Sequence, residues 1–446
     1  MREADIGVAP RAAAALAIAA VLEHGRTLEA ALAERDVVLR AGRARAEVQA
    51  LAYGTIRFAP RLERALARLL ARPWAEQGAQ QQALLLLGLF QLEYGNVPDH
   101  AAVSTTVASA RALGIGRAAG FVNAVLRRYL RERAQCLADA DRTLAGRTAH
   151  REWWVDAVTR DWGDGAEALL TADNAAPPLW LRANARRTSS DDLVAELEAL
   201  GHPCERCAFA PSAVRLITPT DVRALAPFLA GRCSVQDAAA QLTVPLLALE
   251  PGQRVLDACA APGGKSCHML EAEPELDSLL ALDVDPARVA RIEDNLARLG
   301  LSARVAVGDA TRARDWWDGV PFERVLLDAP CSGTGVVRRH PDIKLLRRPE
   351  DLPAMAARQS ALLGALWPLL ARGGRLLYVT CSVLRIENDA VVTAFLTEHP
   401  DAVDITESAR LIVRAAPPAA GVGPGFYLLP GTADTDGFYY ACLAKA

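Results

Sequence analysis

Strand-like and helical stretches alternate along the chain from about residue 250, and this alternation constrains the fold more strongly than any other feature. The strand-like runs are Arg254–Ala258, Leu279–Asp283, Arg304–Val307, Arg324–Leu327 and Arg375–Thr380, and the helical stretches are 265–272, 286–299, 352–370 and 387–398. Such alternation is typical of a parallel, doubly wound α/β sheet. Beyond it, Phe426–Leu429 and Phe438–Leu443 flank a turn and predict a terminal antiparallel pair.

Two regions with other patterns precede this one. Residues 1–140 are rich in alanine, leucine and arginine, and their apolar residues recur every three or four positions, which predicts an all-α domain. Its candidate helices are 10–24, 43–58, 60–73, 80–94, 98–113 and 117–134. Residues 145–240 are mixed, with a predicted strand at Leu179–Asn184 and a predicted helix that Ser190 caps. We therefore predict a multidomain chain, with an all-α domain (1–140), a small α+β module (145–240) and an α/β domain (241–446).

The net charge of the chain does not indicate a nucleic-acid partner, because the 50 Lys and Arg residues are offset by 53 Asp and Glu residues. A claim of RNA binding must rest on local clusters. The first cluster is a stripe at helical spacing, formed by Arg61, Arg64, Arg68 and Arg72, and the second is formed by Arg127, Arg128, Arg131 and Arg133. The stripe shares one helix face and can track a phosphate backbone, although an ordinary solvated face is the commoner use of such a charge run.

The nine cysteines are odd in number and scattered, which favours reduced thiols over a disulfide framework. Cys204 and Cys207 form a lone CxxC whose only obvious neighbouring ligand is His202, so we expect no metal site. The apolar run 12–22 is predicted to be a buried helix rather than a signal peptide, because acidic residues precede it. We expect a cytoplasmic monomer without a membrane or DNA partner.

A glycine-containing loop follows the first strand, reading Asp257-Ala-Cys259-Ala260-Ala261-Pro262-Gly263-Gly264-Lys265. Doubly wound sheets bind nucleotides at this position. The loop lacks the spaced glycines of a dinucleotide site, and Cys259 stands where the first glycine of a P-loop belongs. The loop therefore indicates a nucleotide-like ligand that is neither a nicotinamide cofactor nor a P-loop nucleotide.

Acidic residues end the next two strands. Asp283 ends the second strand and suits hydrogen bonds from ribose hydroxyls, whereas Asp285 can instead cap the helix that begins at Pro286. Asp309 follows the third strand, where it can contact an adenine amino group. Each of them alone fits a capping or turn residue, but their succession at strand ends predicts one shared ligand.

Two cysteines follow the fourth and fifth strands. Asp328 leads into a loop that contains Cys331, and the fifth strand ends at Thr380 before Cys381. A lone cysteine at a strand end is more often a small core residue. Because the carboxyl ends of neighbouring parallel strands meet at one edge, we expect both thiols to face one cleft, with Asp328 between cofactor and substrate.

These motifs together resemble the RNA 5-methylcytosine methyltransferases. The strings are DACAAPGGK, DVD, GDA, LLDAPCSGTG, RRHPDIK, YVTCS followed by Glu387-Asn388, and DTDGFYYA. Residues 52–57, 98–103 and 120–127 resemble helical strings of the antitermination factor NusB. The combination is similar to the RsmB (Sun) family, which methylates a cytosine of 16S ribosomal RNA. The resemblance implies a NusB-like RNA-binding domain, a Rossmann-like methyltransferase domain and S-adenosylmethionine as cofactor.

The resemblance also implies roles for individual residues. Loop residues Cys259 to Lys265 would hold the methionine part of the cofactor, Asp283 its ribose and Asp309 its adenine. Asp328 would lie between cofactor and base, with Cys381 as nucleophile and Cys331 as the helper in product release. The chain departs from its relatives at Leu384-Arg385-Ile386, where proline and an acid are common.

The proposed chemistry also follows from the substrate. C5 of cytosine is a poor nucleophile, and a thiolate that adds to C6 activates it. A methyltransferase acting on exocyclic amines would carry Asn/Asp-Pro-Pro-aromatic after strand four, where this chain has Asp-Ala-Pro-Cys. A DNA cytosine enzyme would use the Pro-Cys cysteine alone and leave Cys381 unexplained. A non-catalytic RNA-binding or ribosome assembly factor would need neither thiol.

Overall fold

A computed structural model of the chain describes residues 7–36, 43–411, 421 and 423–446. These residues form two compact units. The first unit runs to Ala175 and includes Val337–Pro349, and the second comprises Ala176–Val336 and Glu350–Ala446. None of the described helices is both long enough and apolar enough to cross a membrane.

The first unit is helical. Its helices are α1 (Val8–His24), α2 (Leu28–Asp36), α3 (Arg43–Ala67), α4 (Ala79–Tyr94), α5 (Asp99–Ala112), α6 (Ala119–Ala140), α7 (Leu144–Arg147), α8 (Glu152–Trp162) and α9 (Ala166–Ala172), with one further helical turn at Ile343–Leu346. Alanine and leucine, which are strong helix formers, dominate its core. The predicted all-α fold of this region is confirmed.

The predicted break between helices 43–58 and 60–73 is wrong, because α3 continues through Pro60 to Ala67. Val48, Ala52, Ile56, Ala59 and Leu62 recur at helical spacing and are almost fully buried. Proline in a helix interior removes one hydrogen bond and crowds the preceding turn. Burial of one continuous apolar face on both sides of Pro60 outweighs that cost.

The second unit begins with a small four-stranded antiparallel sheet in the order β2-β3-β1-β4. Its elements are β1 (Leu179–Ala183), α10 (Ser190–Ala199), β2 (Cys204–Arg206), β3 (Ala213–Leu216), α11 (Ala226–Leu229) and β4 (Cys233–Val235). The predicted cap is displaced by one residue, because the Ser189 hydroxyl, rather than that of Ser190, accepts the Asp192 N–H at 3.0 Å. The predicted α+β character of this module is confirmed.

The rest of the second unit is a mostly parallel sheet flanked by helices. Its elements are α12 (Ala238–Gln241), α13 (Thr243–Leu247), β5 (Arg254–Ala258), α14 (Gly264–Ala272), β6 (Ser278–Asp283), α15 (Pro286–Leu299), β7 (Arg304–Val307), β8 (Phe322–Asp328), α16 (Asp351–Leu366), β9 (Leu370–Thr380), α17 (Asp389–Glu398), β10 (Ala402–Asp404), α18 (Thr406–Arg410), β11 (Phe426–Leu428) and β12 (Phe438–Lys445).

The strand order in this sheet, β7-β6-β5-β8-β9-β12-β10, positions the site. Strands β5 to β9 pair in parallel, and β12 pairs antiparallel with β9, β10 and β11. The chain leaves β5 toward β6 on one side and returns beside it as β8 on the other. Ligands bind outside the carboxyl ends of the strands at such a switch point. The predicted α/β class and the antiparallel terminal pair are confirmed.

Candidate active site

The loop between β5 and α14 is held against the end of β6. Its backbone takes left-handed conformations at Cys259 (φ 62°) and Gly263 (φ 92°). A Cβ on Gly263 would come within 3.1 Å of the Ile292 backbone, so this turn needs glycine for both conformation and space. The Ala260 N–H donates to the carbonyl of Leu282 at 2.9 Å. The loop predicted to bind the cofactor therefore lies directly above the second parallel strand.

Asp283 and Asp285 have different partners. The carboxylate of Asp283 is 2% exposed and accepts the N–H groups of Ala261 at 3.1 Å and of Asp285 at 3.2 Å. Asp285 caps α15 by accepting the Ala287 N–H at 2.8 Å. Helix capping occupies Asp285, whereas Asp283 lines the cleft at the strand end.

Asp309 follows β7 on the same edge. Its carboxylate accepts the backbone N–H of Thr311 at 2.9 Å and the Thr311 hydroxyl at 2.8 Å. These hydrogen bonds lower the pKa of Asp309, so its side chain is an ionised acceptor at neutral pH.

Asp328 ends β8 and pairs with the lysine of the glycine loop. The Lys265 ammonium donates to Asp328 Oδ2 at 2.6 Å. Burial opposes the charged form of Lys265, but the neighbouring Asp328 carboxylate outweighs it and raises the lysine pKa. The ion pair fixes the Asp328 carboxylate at the mouth of the cleft.

The two predicted thiols are neighbours, with the sulfurs of Cys331 and Cys381 3.3 Å apart. Contact with Cys381, followed by burial, raises the pKa of Cys331 well above its ordinary value. Cys331 is therefore protonated at neutral pH and can donate its S–H to the Cys381 sulfur. The pair therefore consists of a protonated thiol within hydrogen-bonding distance of a second sulfur.

One cleft of about 200 Å³ brings most of these residues together. The predicted residues that line it are Cys259, Ala261, Asp283, Asp309, Asp328, Cys331 and Cys381. The remaining predicted residues lie in the surrounding loop without lining the cleft, namely Ala260, Pro262, Gly263, Gly264 and Lys265. Sequence reasoning missed Arg288 and Arg358, which also line it. A helix face gives no signal of its own that one of its arginines points into a site.

Sequence reasoning also gave no role to Glu387, which lies buried behind the two cysteine loops. Its carboxylate accepts hydrogen bonds from Ser332, Ser382 and Gln359. The motif was visible in the sequence, but Ser332 and Gln359 lie far from Glu387 along the chain, so these contacts cannot be assigned from spacing alone.

The terminal hairpin approaches the Cys331 loop through two glycines. The Gly437 N–H donates to the Gly335 carbonyl at 2.8 Å, and a Cβ on Gly335 would lie 2.2 Å from the Gly437 carbonyl oxygen. This contact explains why glycine stands at both positions. It holds the loop after Cys331 against β12.

The small module contains the other predicted cysteine pair, Cys204 and Cys207. Cys204 donates to the backbone carbonyl of His202 at 3.2 Å. Across residues 7–36, 43–411, 421 and 423–446, no group of three or more His, Cys, Asp or Glu side chains could hold a metal ion.

Comparisons with known proteins match this architecture. A family model described as 16S rRNA methyltransferase RsmB/F matches residues 244–444. The NusB family matches residues 8–131, and a ferredoxin-like domain of RsmF/B-like methyltransferases matches residues 150–223. The ribosomal RNA small subunit methyltransferase B of Pseudomonas putida is 46% identical over 437 residues, which cover 98% of each chain.

The chain belongs to the RsmB/F family of 16S rRNA methyltransferases. Among solved structures, PH0851 has a TM-score of 0.82 at 21% identity, covering 98% of this chain and 99% of that one, which shows a common fold. A methyltransferase homologue from Pyrococcus horikoshii has a TM-score of 0.59 at 27% identity, covering 68% of this chain and 98% of that one.

Members of the RsmB/F family use S-adenosylmethionine, and this chain takes the same cofactor. The residues of the cleft fit it. The Oδ2 oxygen of Asp283 accepts one backbone N–H and keeps a second lone pair for a ribose hydroxyl, whereas Oδ1 accepts one N–H and also lies 3.5 Å from the Arg288 guanidinium. Asp309 is an ionised acceptor suited to an amino group, and the loop at Ala261 supplies apolar surface against the cofactor.

In the NusB-like unit, the arginine stripe is largely engaged in ion pairs. Arg61 pairs with Asp141 at 2.7 Å, Arg64 with Glu152 at 2.9 Å, and Arg68 with Asp139 and Glu132. Three of its four members therefore tie helices of the unit together. The stripe is not the free cationic face that the phosphate-tracking hypothesis required.

A different surface of this unit carries unpaired arginines. A groove of about 610 Å³ lies between α5 and α6 and is lined by His100, Asn123, Arg111 and Arg127, among others. Within the part of the chain that the structure describes, Arg111 and Arg127 form no ion pair, and Arg127 donates only to the Asn123 side chain at 3.1 Å. The groove's carboxylate, Asp99, lies 3.8 Å from the Arg133 guanidinium. In the second arginine cluster, Arg128 pairs with Glu132 and Arg133 with Glu93.

Proposed function

We propose that this chain transfers a methyl group to C5 of a cytosine in 16S ribosomal RNA, through a covalent adduct between Cys381 and C6 of the base. The observation that carries the proposal is the pair of thiols 3.3 Å apart, in a cleft that also contains Asp328. An exocyclic amine needs no thiol nucleophile, and a DNA-type enzyme needs only one thiol. The proposed site of action is the cytoplasm, where the ribosomal RNA is found.

The Cys381 thiolate adds to C6 of cytosine, and the electrons of the C5–C6 double bond make C5 nucleophilic. S-adenosylmethionine, when bound, would supply an electrophilic methyl group to C5, with its methyl–sulfonium bond breaking and S-adenosylhomocysteine as the leaving group. A base then removes the proton from C5, the double bond forms again, and the bond between Cys381 sulfur and C6 breaks. The protonated Cys331 assists this last step, because its S–H can donate to the departing Cys381 thiolate.

Asp328 orients the base in this scheme. Held by Lys265, its carboxylate is an acceptor that can bind the exocyclic amine of cytosine, and N3 once that nitrogen is protonated in the adduct. Such acceptors are most effective where charge develops in the transition state. Uracil presents an oxygen in place of the amine, so the same carboxylate discriminates against it.

The NusB-like unit is proposed to bind the RNA outside the reacting base, through the groove between α5 and α6. Phosphates are the complementary partners of Arg111 and Arg127, whose guanidinium groups are not neutralised within the unit. His100 and Asn123 add polar groups along the groove. The arginine stripe is not part of this proposal, and its predicted single helix face is wrong, because α3 ends at Ala67, before the last two of its four arginines.

The test of the proposed function is product mapping. Purified protein, S-adenosylmethionine and unmethylated 16S rRNA are incubated together, and cytosine methylation is read by bisulfite sequencing and nucleoside mass spectrometry. We expect 5-methylcytosine at one position. Methylation of an exocyclic amine, or binding without methyl transfer, would contradict the proposal, and the second result would favour a non-catalytic assembly factor.

A further inference from the structure

We propose that Glu387 is a positioning residue that holds the two cysteine loops in register for adduct formation. The inference rests on the proposed function and deepens it, because it concerns how the two thiols are kept within reach of one base. Glu387 itself lies behind the loops, fully buried, and does not line the cleft.

The carboxylate of Glu387 connects the residues that directly follow the two cysteines. Its Oε1 accepts the Ser332 backbone N–H at 2.8 Å and the Gln359 amide at 3.1 Å. Its Oε2 accepts the hydroxyls of Ser332 at 2.5 Å and Ser382 at 2.6 Å. Since Ser332 follows Cys331 and Ser382 follows Cys381, one side chain joins both loops.

Hydrogen bonds around this carboxylate make the arrangement rigid. The Thr334 hydroxyl lies 3.0 Å from that of Ser382 and accepts the Val383 N–H at 3.0 Å. The Gly335 N–H donates to the Cys381 carbonyl at 2.8 Å. Among these groups, Glu387 is the charged acceptor, and hydrogen bonds to a charged group are the stronger kind. The geometry of the thiol pair therefore depends most on Glu387.

Charge adds a second effect. The pKa of Cys331 is raised by the contact with Cys381 and by burial, and the negative charge of Glu387 contributes in the same direction. Glu387 thereby favours the proton on Cys331, which is the state that leaves Cys381 as the nucleophile. Both effects predict that changes at Glu387 act on the rate of the covalent step.

Two substitutions separate the effect of the length of the Glu387 side chain from the effect of its charge. Glu387→Gln keeps the length needed to bond both loops and removes the charge, whereas Glu387→Asp keeps the charge but is shorter by one methylene. If bridging is the main role, Gln should retain more activity than Asp. Misplacing a reacting group by about 1 Å can cost roughly 10²-fold in rate, and we expect a loss of that order for Asp.

The experiment measures single-turnover methyl transfer in the parent chain, which keeps the Cys331 proton, and adduct formation in a Cys331→Ala background, which reports the bridging effect without it, using 16S rRNA and S-adenosylmethionine. We expect the adduct rate to decrease from Glu to Gln to Asp at position 387. Cofactor affinity, measured by calorimetry, should stay within about twofold of the parent. The exposed Glu398→Gln is the matched control and should behave as the parent.

Equal adduct rates for all three residues at position 387 would overturn the proposal. A faster rate for Asp than for Gln would also overturn it, because charge alone would then be the cause. Loss of cofactor binding in parallel with rate would do the same, since it would show a general role in folding. Failure of the proposed function can be distinguished from failure of the proposal for Glu387, because in the first case the Cys331→Ala parent itself would form no adduct.

Discussion

The assignment of Asp283 to the cofactor ribose leads to a quantitative prediction for Asp283→Asn. The substitution keeps the size of the side chain but removes the charge and replaces one acceptor oxygen by a donor amide. In the structure, both oxygens already accept a backbone N–H, from Ala261 and Asp285. The amide must therefore face one of those donors or the ribose, and at least one hydrogen bond to the cofactor or its loop is lost.

The expected loss can be worked from the strength of that bond. Hydrogen bonds to charged groups contribute about 1.5–3 kcal/mol, and about 1.4 kcal/mol corresponds to tenfold in affinity. One lost bond should therefore weaken binding roughly 10- to 150-fold. Isothermal titration with S-adenosylhomocysteine measures this directly.

Asp285→Asn is the matched control. Asp285 caps α15 through the Ala287 N–H, and asparagine is an equally good cap, so cofactor affinity should stay within about twofold of the parent. Unchanged binding in Asp283→Asn, or an equal loss in Asp285→Asn, would refute the assignment and move the ribose contact to Asp285.

Three further results are expected. Burial raises the pKa of Asp257 to about 7, so the folded state keeps a proton that the unfolded state loses near its ordinary pKa of 3.8, and stability falls from about pH 4 to pH 7. The melting temperature of Asp257→Asn should therefore rise relative to that of the parent as the pH increases from 5 to 8. Parallel curves of melting temperature against pH would contradict this. Arg111→Ala and Arg127→Ala should each lower the salt dependence of RNA binding by about one phosphate contact, and an equal effect from Arg72→Ala would favour the stripe instead. Lys344→Met leaves the Asn174 carbonyl and two backbone carbonyls without their donor, so it should lower the melting temperature, each group costing on the order of 1–3 kcal/mol.

The parts of the fold that follow from local pattern were predictable from the sequence. Apolar runs that alternate with helices specify a parallel sheet, and a residue that ends such a strand must lie at the sheet edge. That argument predicts that Asp283, Asp328 and Cys381 share one cleft, and all three line it in the structure. It needed only periodicity and chain order.

Features that depend on partners distant in the chain were not predictable. The spacing of the Arg61 stripe is the same whether its partners are phosphates or carboxylates, and only the fold brings Asp139 of α6 and Asp141, which follows α6, within reach. The predicted break between residues 58 and 60 was wrong, because the buried face continues on both sides of Pro60. Residues 337–349 interrupt the sequence of the second unit yet belong to the first. This segment is rich in arginine, but a basic composition alone does not show which unit a segment packs with.

The central claim, covalent catalysis by Cys381 with Cys331 in release, is tested most directly by trapping. Each cysteine is replaced by alanine, and the variant is incubated with 16S rRNA and S-adenosylmethionine and then run on a denaturing gel. The account predicts no adduct and no methylation for Cys381→Ala, and an accumulated protein–RNA adduct for Cys331→Ala. An adduct in Cys381→Ala together with none in Cys331→Ala would reverse the two roles, and full activity in both variants would contradict covalent catalysis.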